Sequence, residues 1–156
     1  MRRVFVAVVI PLGLVLGSGC VTVAPQPAGD QIRAVLDQYV LSVEREDLDL
    51  YGRVMAHDAD VVHFGTSGAP IQGWDSLKKV IADQFAGLDS VSVAASEVQV
   101  HVLPGGTAAW ATSLWRFRGK AGQTALDLPV RCTWILEKRA GAWVIVHFHK
   151  SVAAAS

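Results

Sequence analysis

From Val91 to Lys150 the chain is built of extended runs broken only by turn residues, and this tail-heavy run of strands limits the folds open to it. "VSVAASEVQVHV", "AAWATSLWRFR", "ALDLPVRCTWILEK" and "AWVIVHFHK" are separated by Gly105-Gly106, Gly119 to Gly122 and Ala140-Gly141, the spacing of an antiparallel meander. In the first run Val91, Val93 and Ala95 alternate, then Val98, Val100 and Val102 do so in the opposite phase. A slip of one residue near Ser96 predicts a β-bulge that bends the strand.

Ahead of the strands the apolar period is helical. Ile32, Val35, Leu36, Tyr39, Val40 and Val43 form a stripe that Asp30 is placed to cap, and a shorter helix runs from Asp47 through Leu50, Tyr51, Val54 and Met55. "HDADVVHF" predicts a short strand with Val61 and His63 on one face. After the loop "GTSGAPIQG", a third helix in "WDSLKKVIADQFAGL" places Leu77, Val80, Ile81, Phe85 and Leu88 on one stripe. Helices first and a meander after predict an α+β domain with helices on one face of a curved sheet.

About half of the residues are apolar, enough to bury one core. Formal charge is balanced, with no basic run or face, so nucleic acid is excluded as a partner. The opening "MRRVFVAVVIPLGLVLGSGC" has a basic start, an apolar stretch from Val4 to Leu16 and small residues before Cys20, the order of a secretory signal and too short to span a bilayer stably. Gly17-Ser18-Gly19-Cys20 resembles a bacterial lipobox, which implies acylation at Cys20 and a bacterial envelope location, anchored by lipid; plain secretion is the alternative. The expected layout is a signal at 1–19, a Pro- and Gly-bearing tether at 20–29, one domain at 30–151 and a tail at 152–156. Cys132, the other cysteine, reads as a buried thiol.

"VMAHDADVVHF", "PIQGWDSL" and "PVRCTWILEKRAGAWVIVHFHKS" resemble the SnoaL-like branch of the nuclear transport factor 2-like superfamily. The resemblance covers roughly Asp30 to Ser151. It implies a cone, a bent antiparallel sheet wrapped around helices, with a small-molecule pocket at the wide end and homodimers through the other side of the sheet. Fold alone does not fix chemistry in such a group. Alignment with ketosteroid isomerase puts His63 at its general base and Tyr39 at the tyrosine that donates to the oxyanion, while its protonated aspartic acid maps near Pro129 or Val130. His63 as base and Tyr39 as donor are therefore the candidate catalytic pair of an isomerase, cyclase or dehydratase. The final hairpin resembles the association domain of calcium/calmodulin-dependent protein kinase II. That likeness implies a pocket holding Arg131, with Lys150 as a second cation and Thr112 at the position of a further arginine, suited to an anionic ligand.

The turn at Ala140-Gly141 sets Arg131 opposite Lys150 and Trp134 opposite His147, so one face carries Arg131, Thr133, Phe148 and Lys150 and the other Cys132, Trp134, His147 and His149. A one-residue bulge reverses that assignment. His147 and His149 share a face but show no third ligand, so no metal site is expected, and nothing implies a cofactor. His57 and His101 read as surface or strand-edge residues, and Trp74, Trp110, Trp115 and Trp143 as core or interface aromatics. Three functions remain: an envelope-anchored domain binding an anionic or carbonyl-containing small molecule, a proton-transfer enzyme using His63 and Tyr39, and a dimeric interaction module without chemistry.

Overall fold

A computed structural model describes residues 26–66 and 68–152. The signal segment, Cys20 and most of the tether lie outside the described residues. Helix α1 (Ala28–Glu44) begins at Pro27, not at Asp30: Pro27 is the N-cap, and Asp30 sits in the first turn, where a carboxylate favours the positive end of the helix. Its buried residues Ile32, Leu36, Tyr39 and Val43 follow the expected stripe. Helix α2 (Leu48–Val54) is capped by Asp47, whose carboxylate accepts from the Leu50 amide at 2.8 Å. Strands β1 (Val62–Phe64) and β2 (Ile71–Gln72) precede α3 (Trp74–Ala86), which buries Leu77, Ile81 and Phe85. Gly73, at φ +82°, turns the chain into α3; a Cβ there would meet the Ala59 carbonyl oxygen at 3.3 Å. Val80 is only half-buried and Leu88 belongs to the next strand.

Four long strands follow: β3 (Leu88–Val102), β4 (Ala108–Ala121), β5 (Thr124–Arg139) and β6 (Ala142–Val152). They form the expected meander, and the bulge near Ser96 is present, with the register shifting between Ser96 and Gln99 and Glu97 at φ 52°. The sheet is mixed and open: its order is β2-β1-β6-β5-β4-β3, and β1 lies parallel to β6. The β1–β6 pair is the one parallel pairing among the described strands of an otherwise antiparallel sheet; it arises because β1 reaches β6 from far away in sequence, a pairing no local turn dictates. Helix α1 is held to β3 by polar clamps as well as packing. Arg33 donates to the Val98 carbonyl at 3.1 Å and Glu44 accepts from the Val93 amide at 2.8 Å.

The last hairpin departs from the expected register. Ala140 and Gly141 both take positive φ (49° and 87°), as a two-residue turn of this twist requires, and Arg139↔Ala142 through Leu136↔Ile145 pair as the turn dictates. Between Ile135 and Leu136 the register shifts by one, with Val146 as the extra residue, so that Trp134 pairs with Phe148 and Cys132 with Lys150. Phe148 and Lys150 therefore share the inner face with Cys132 and Trp134, while His147 and His149 share the outer face with Arg131 and Thr133. The sequence-based faces are thus exchanged on β6 relative to β5. The exchange has a packing reason: it stacks Phe148 on Trp134 (4.9 Å, interplanar 10°) and sets it against Tyr39 (4.8 Å) at the centre of the core.

This placement predicts opposite outcomes for adjacent substitutions. Phe148→Ala removes a fully buried ring and is expected to cost about 3–5 kcal/mol, whereas His149→Ala, on the exposed face, stays within about 0.5 kcal/mol. Urea titrations of the two variants check this, and equal losses would contradict the observed register.

Candidate functional site

The inner face of the sheet and the three helices do not close completely. Where α3 hands over to β3 and β4 turns into β5, they leave a cavity of about 330 Å³, within the range of small-molecule sites. Its wall is mostly apolar and aromatic, with Trp115, Phe117 and Leu128 from the sheet; its polar groups include the hydroxyl-bearing Tyr39 from α1 and Tyr51 from α2, and Lys150 from β6. Both tyrosines of the chain thus arrive at one place. Their rings lie 5.3 Å apart, close enough for the two hydroxyls to interact with each other, and neither has any other hydrogen-bond partner among the described residues. Burial first, and the Tyr51 hydroxyl second, push Tyr39 well above the ordinary tyrosine range; burial likewise raises Tyr51. Both are neutral donors at any physiological pH.

Lys150 enters this wall because of the bulge at Val146. It pairs across the sheet with Cys132, which in turn pairs with Ser113, so a polar row crosses the otherwise apolar inner face. Burial pushes the Cys132 thiol up to about 12, so it is a free, protonated core thiol. Lys150 makes no ion pair or hydrogen bond among the described residues; its Nζ lies 5.6 Å from the centre of the Phe148 ring. Desolvation lowers its pKa below the ordinary lysine value.

His63 is fully buried beside Phe148 (ring centres 5.1 Å apart) but is not part of the cavity wall. Burial first, and the Lys150 charge second, bring its pKa down to about 3. The expectation of an imidazole titrating near neutrality is thereby corrected: in this setting His63 is a neutral ring with an unpartnered Nδ1. Arg131 and Thr112 are also corrected. Arg131 pairs with Leu114 and Ser151, and Thr112 with Thr133, all on the outer face, so neither reaches the cavity. The nearby carboxylates on β5 are engaged elsewhere, Asp127 with Arg116 and Arg118 and Glu137 with Arg139.

His147 and His149 flank Phe64 edge-on, at 5.4 and 5.5 Å, on the outer face. Among the described residues no cluster of His, Cys, Asp or Glu could hold a metal ion. His57 stacks on Trp74 (4.1 Å) and His101 on Trp110 (3.9 Å), both at the surface. Tyr51 and Ser113 were not singled out from sequence. The signal for Tyr51 was its place on the apolar side of α2; Ser113 had none beyond its strand.

Fold and cavity together define an α+β domain with an apolar pocket between its helices and its sheet. The sequence profile of the SnoaL-like domain matches residues 32–155, and the chain belongs to that family. Solved structures of nuclear transport factor 2-like proteins share the fold. One is a superfamily protein of Salmonella enterica (19% identity, TM-score 0.73, 83% of this chain and 93% of that chain covered). Another is a ketosteroid isomerase-like protein of Erwinia carotovora atroseptica (18%, 0.69, 81% and 97%). A third is a protein of unknown function from Pseudomonas putida (20%, 0.70, 82% and 88%). No curated protein matches the sequence.

The buried neutral His63 makes stability depend on pH. Unfolding returns the ring to its ordinary value near 6.5, so below that pH the unfolded chain binds a proton that the folded chain refuses until about pH 3. Stability is complete above pH 6.5 and falls as pH drops, by about 3 kcal/mol down to about pH 4 from this residue. Denaturant titrations across that window should show His63→Gln with a shallower acid loss than wild type by this amount; parallel profiles would contradict it.

Proposed function

We propose that the protein binds a small, largely apolar molecule carrying one carbonyl or carboxylate oxygen, with that oxygen toward Lys150 and the tyrosine hydroxyls and its body against Trp115, Phe117 and Leu128. One observation carries this reading: the amine of Lys150 and two tyrosines with no hydrogen-bond partner beyond each other stand together in the wall of an apolar cavity, where an incoming acceptor satisfies them. The contrast with a filled core is what sets binding above a vestigial pocket. Proton transfer by His63 is disfavoured, since a ring with a pKa of about 3 outside the cavity wall is a weak base out of reach.

Hydrocinnamate, hydrocinnamaldehyde and hydrocinnamyl alcohol share one shape and differ in the head group. Saturable quenching of tryptophan fluorescence is expected for hydrocinnamate and for the alcohol. Val130→Phe, which fills the cavity, should abolish both, and Lys150→Met should weaken the carboxylate by about tenfold or more while leaving the alcohol nearly unchanged. Failure of every ligand to saturate, or unaltered binding by Val130→Phe, would sink the cavity reading.

A second reading concerns the outer face, where Trp110, Leu114 and Ile135 remain exposed on the neighbouring strands β4 and β5, with Phe64 exposed on β1 farther across the sheet. An apolar area of this kind favours a partner, and a second copy of the chain, sheet against sheet, is the one proposed. Sedimentation equilibrium should give a dimer for wild type and a monomer for Ile135→Glu; a wild-type monomer at micromolar protein contradicts it. Anchoring to the bacterial envelope through an acylated Cys20 is likewise proposed from the lipobox-like segment. Cys20→Ala is then expected to move the protein from the membrane fraction to the soluble one, and no change of fraction would refute it.

A further inference from the structure

We propose that Lys150 is a covalent ligand-binding residue, whose Nζ condenses reversibly with an aldehyde or ketone held in the cavity to form an imine. The inference rests on the cavity binding proposed above and specifies its chemistry.

The geometry comes first. Among the chain's lysines, Lys78, Lys79, Lys120 and Lys138 are exposed, and Lys150 alone lines the cavity. The groups near it are neutral, the Cys132 thiol opposite it on β5 and the His63 ring on β1, and so are the Tyr39 and Tyr51 phenols that share the cavity wall from α1 and α2. Asp83 of α3 also borders the cavity, but its carboxylate is paired with Lys79 at 2.7 Å in solvent. No anion therefore compensates an ammonium at this position, and desolvation favours the neutral amine, the form that attacks carbonyl carbon. An ammonium kept only for charge pairing would instead be expected opposite a carboxylate, as Arg139 is with Asp58 and Glu137.

The step balances without any co-reactant. The Nζ lone pair forms a bond to the carbonyl carbon while the C=O π bond breaks onto oxygen, giving a carbinolamine. The C–O bond then breaks, both hydrogens of the neutral amine leave with that oxygen as one water, and a C=N bond remains. Tyr39 and Tyr51 line the same space, and a turn of their buried hydroxyls toward the ligand would let them donate hydrogen bonds to the oxygen as charge develops on it. The apolar wall limits the water that would reverse the condensation.

The test is reductive trapping on the purified protein at neutral pH with hydrocinnamaldehyde and sodium cyanoborohydride, read by intact mass and peptide mapping. The expected result is a single secondary-amine adduct on Lys150, formed about tenfold or more faster than adducts on Lys120 or Lys138, slowed by hydrocinnamyl alcohol and absent in Lys150→Arg. Labelling of Lys150 at or below the rate of the exposed lysines overturns the covalent step. If the alcohol still saturates in that case, cavity binding stands and only the imine is lost; if the alcohol does not bind either, both fall together. Because wild type supplies the decisive readout, a poorly folded Lys150 variant leaves the conclusion unaffected.

Discussion

A single extra residue in the last strand governs what the cone contains. Val146 shifts the pairing of β5 and β6 by one, and because strand side chains alternate, every residue beyond it changes face. Phe148 turns in to stack on Trp134 and close against Tyr39, and Lys150 turns in beside Cys132. Without the shift, His147 and His149 would face the helices, two polar rings replacing an aromatic plug. The hydrophobic gain of burying Phe148 among four aromatic rings stabilises the bulge; Lys150, two residues on, follows into the cavity wall.

That placement explains the electrostatic character of the interior. The inner groups that can ionise, Tyr39, Tyr51, His63, Cys132 and Lys150, are all pushed toward their neutral forms, and desolvation is the first cause for each. The charged pairs, by contrast, sit at the rim or on the outside: Arg116 and Arg118 with Asp127, Lys79 with Asp83, Arg139 with Asp58 and Glu137. The proposed binding of a single ligand oxygen, and the proposed chemistry of the Lys150 amine, rest on this contrast between an uncharged interior and a charged rim.

Most of the architecture was legible in the sequence because it is local. The stripes of α1 and α3, the start of α2 near Asp47, the bulge near Ser96 and the turn at Ala140-Gly141 each rest on residues within a few positions of one another. What was not legible is non-local. "VIVHFHK" satisfies either face assignment, since Val146 is apolar enough for the core and small enough for a bulge, and only Tyr39 and Trp134 across the fold decide between them. The same holds for the parallel pairing of β1 with β6 and for the meeting of Tyr51 with Tyr39. Arg131 and Lys150 were placed in the pocket together by likeness to a relative, and the shift at Val146 puts Lys150 there without Arg131.

The inward orientation of Lys150 is the claim on which cavity, ligand and chemistry all depend, and an NMR titration of the lysine side chains tests it most directly. The account predicts that the Lys150 amine titrates below the range ordinary for an exposed lysine and that its resonance moves when hydrocinnamyl alcohol is added. A Lys150 signal that titrates as a solvated amine and ignores the alcohol would contradict it.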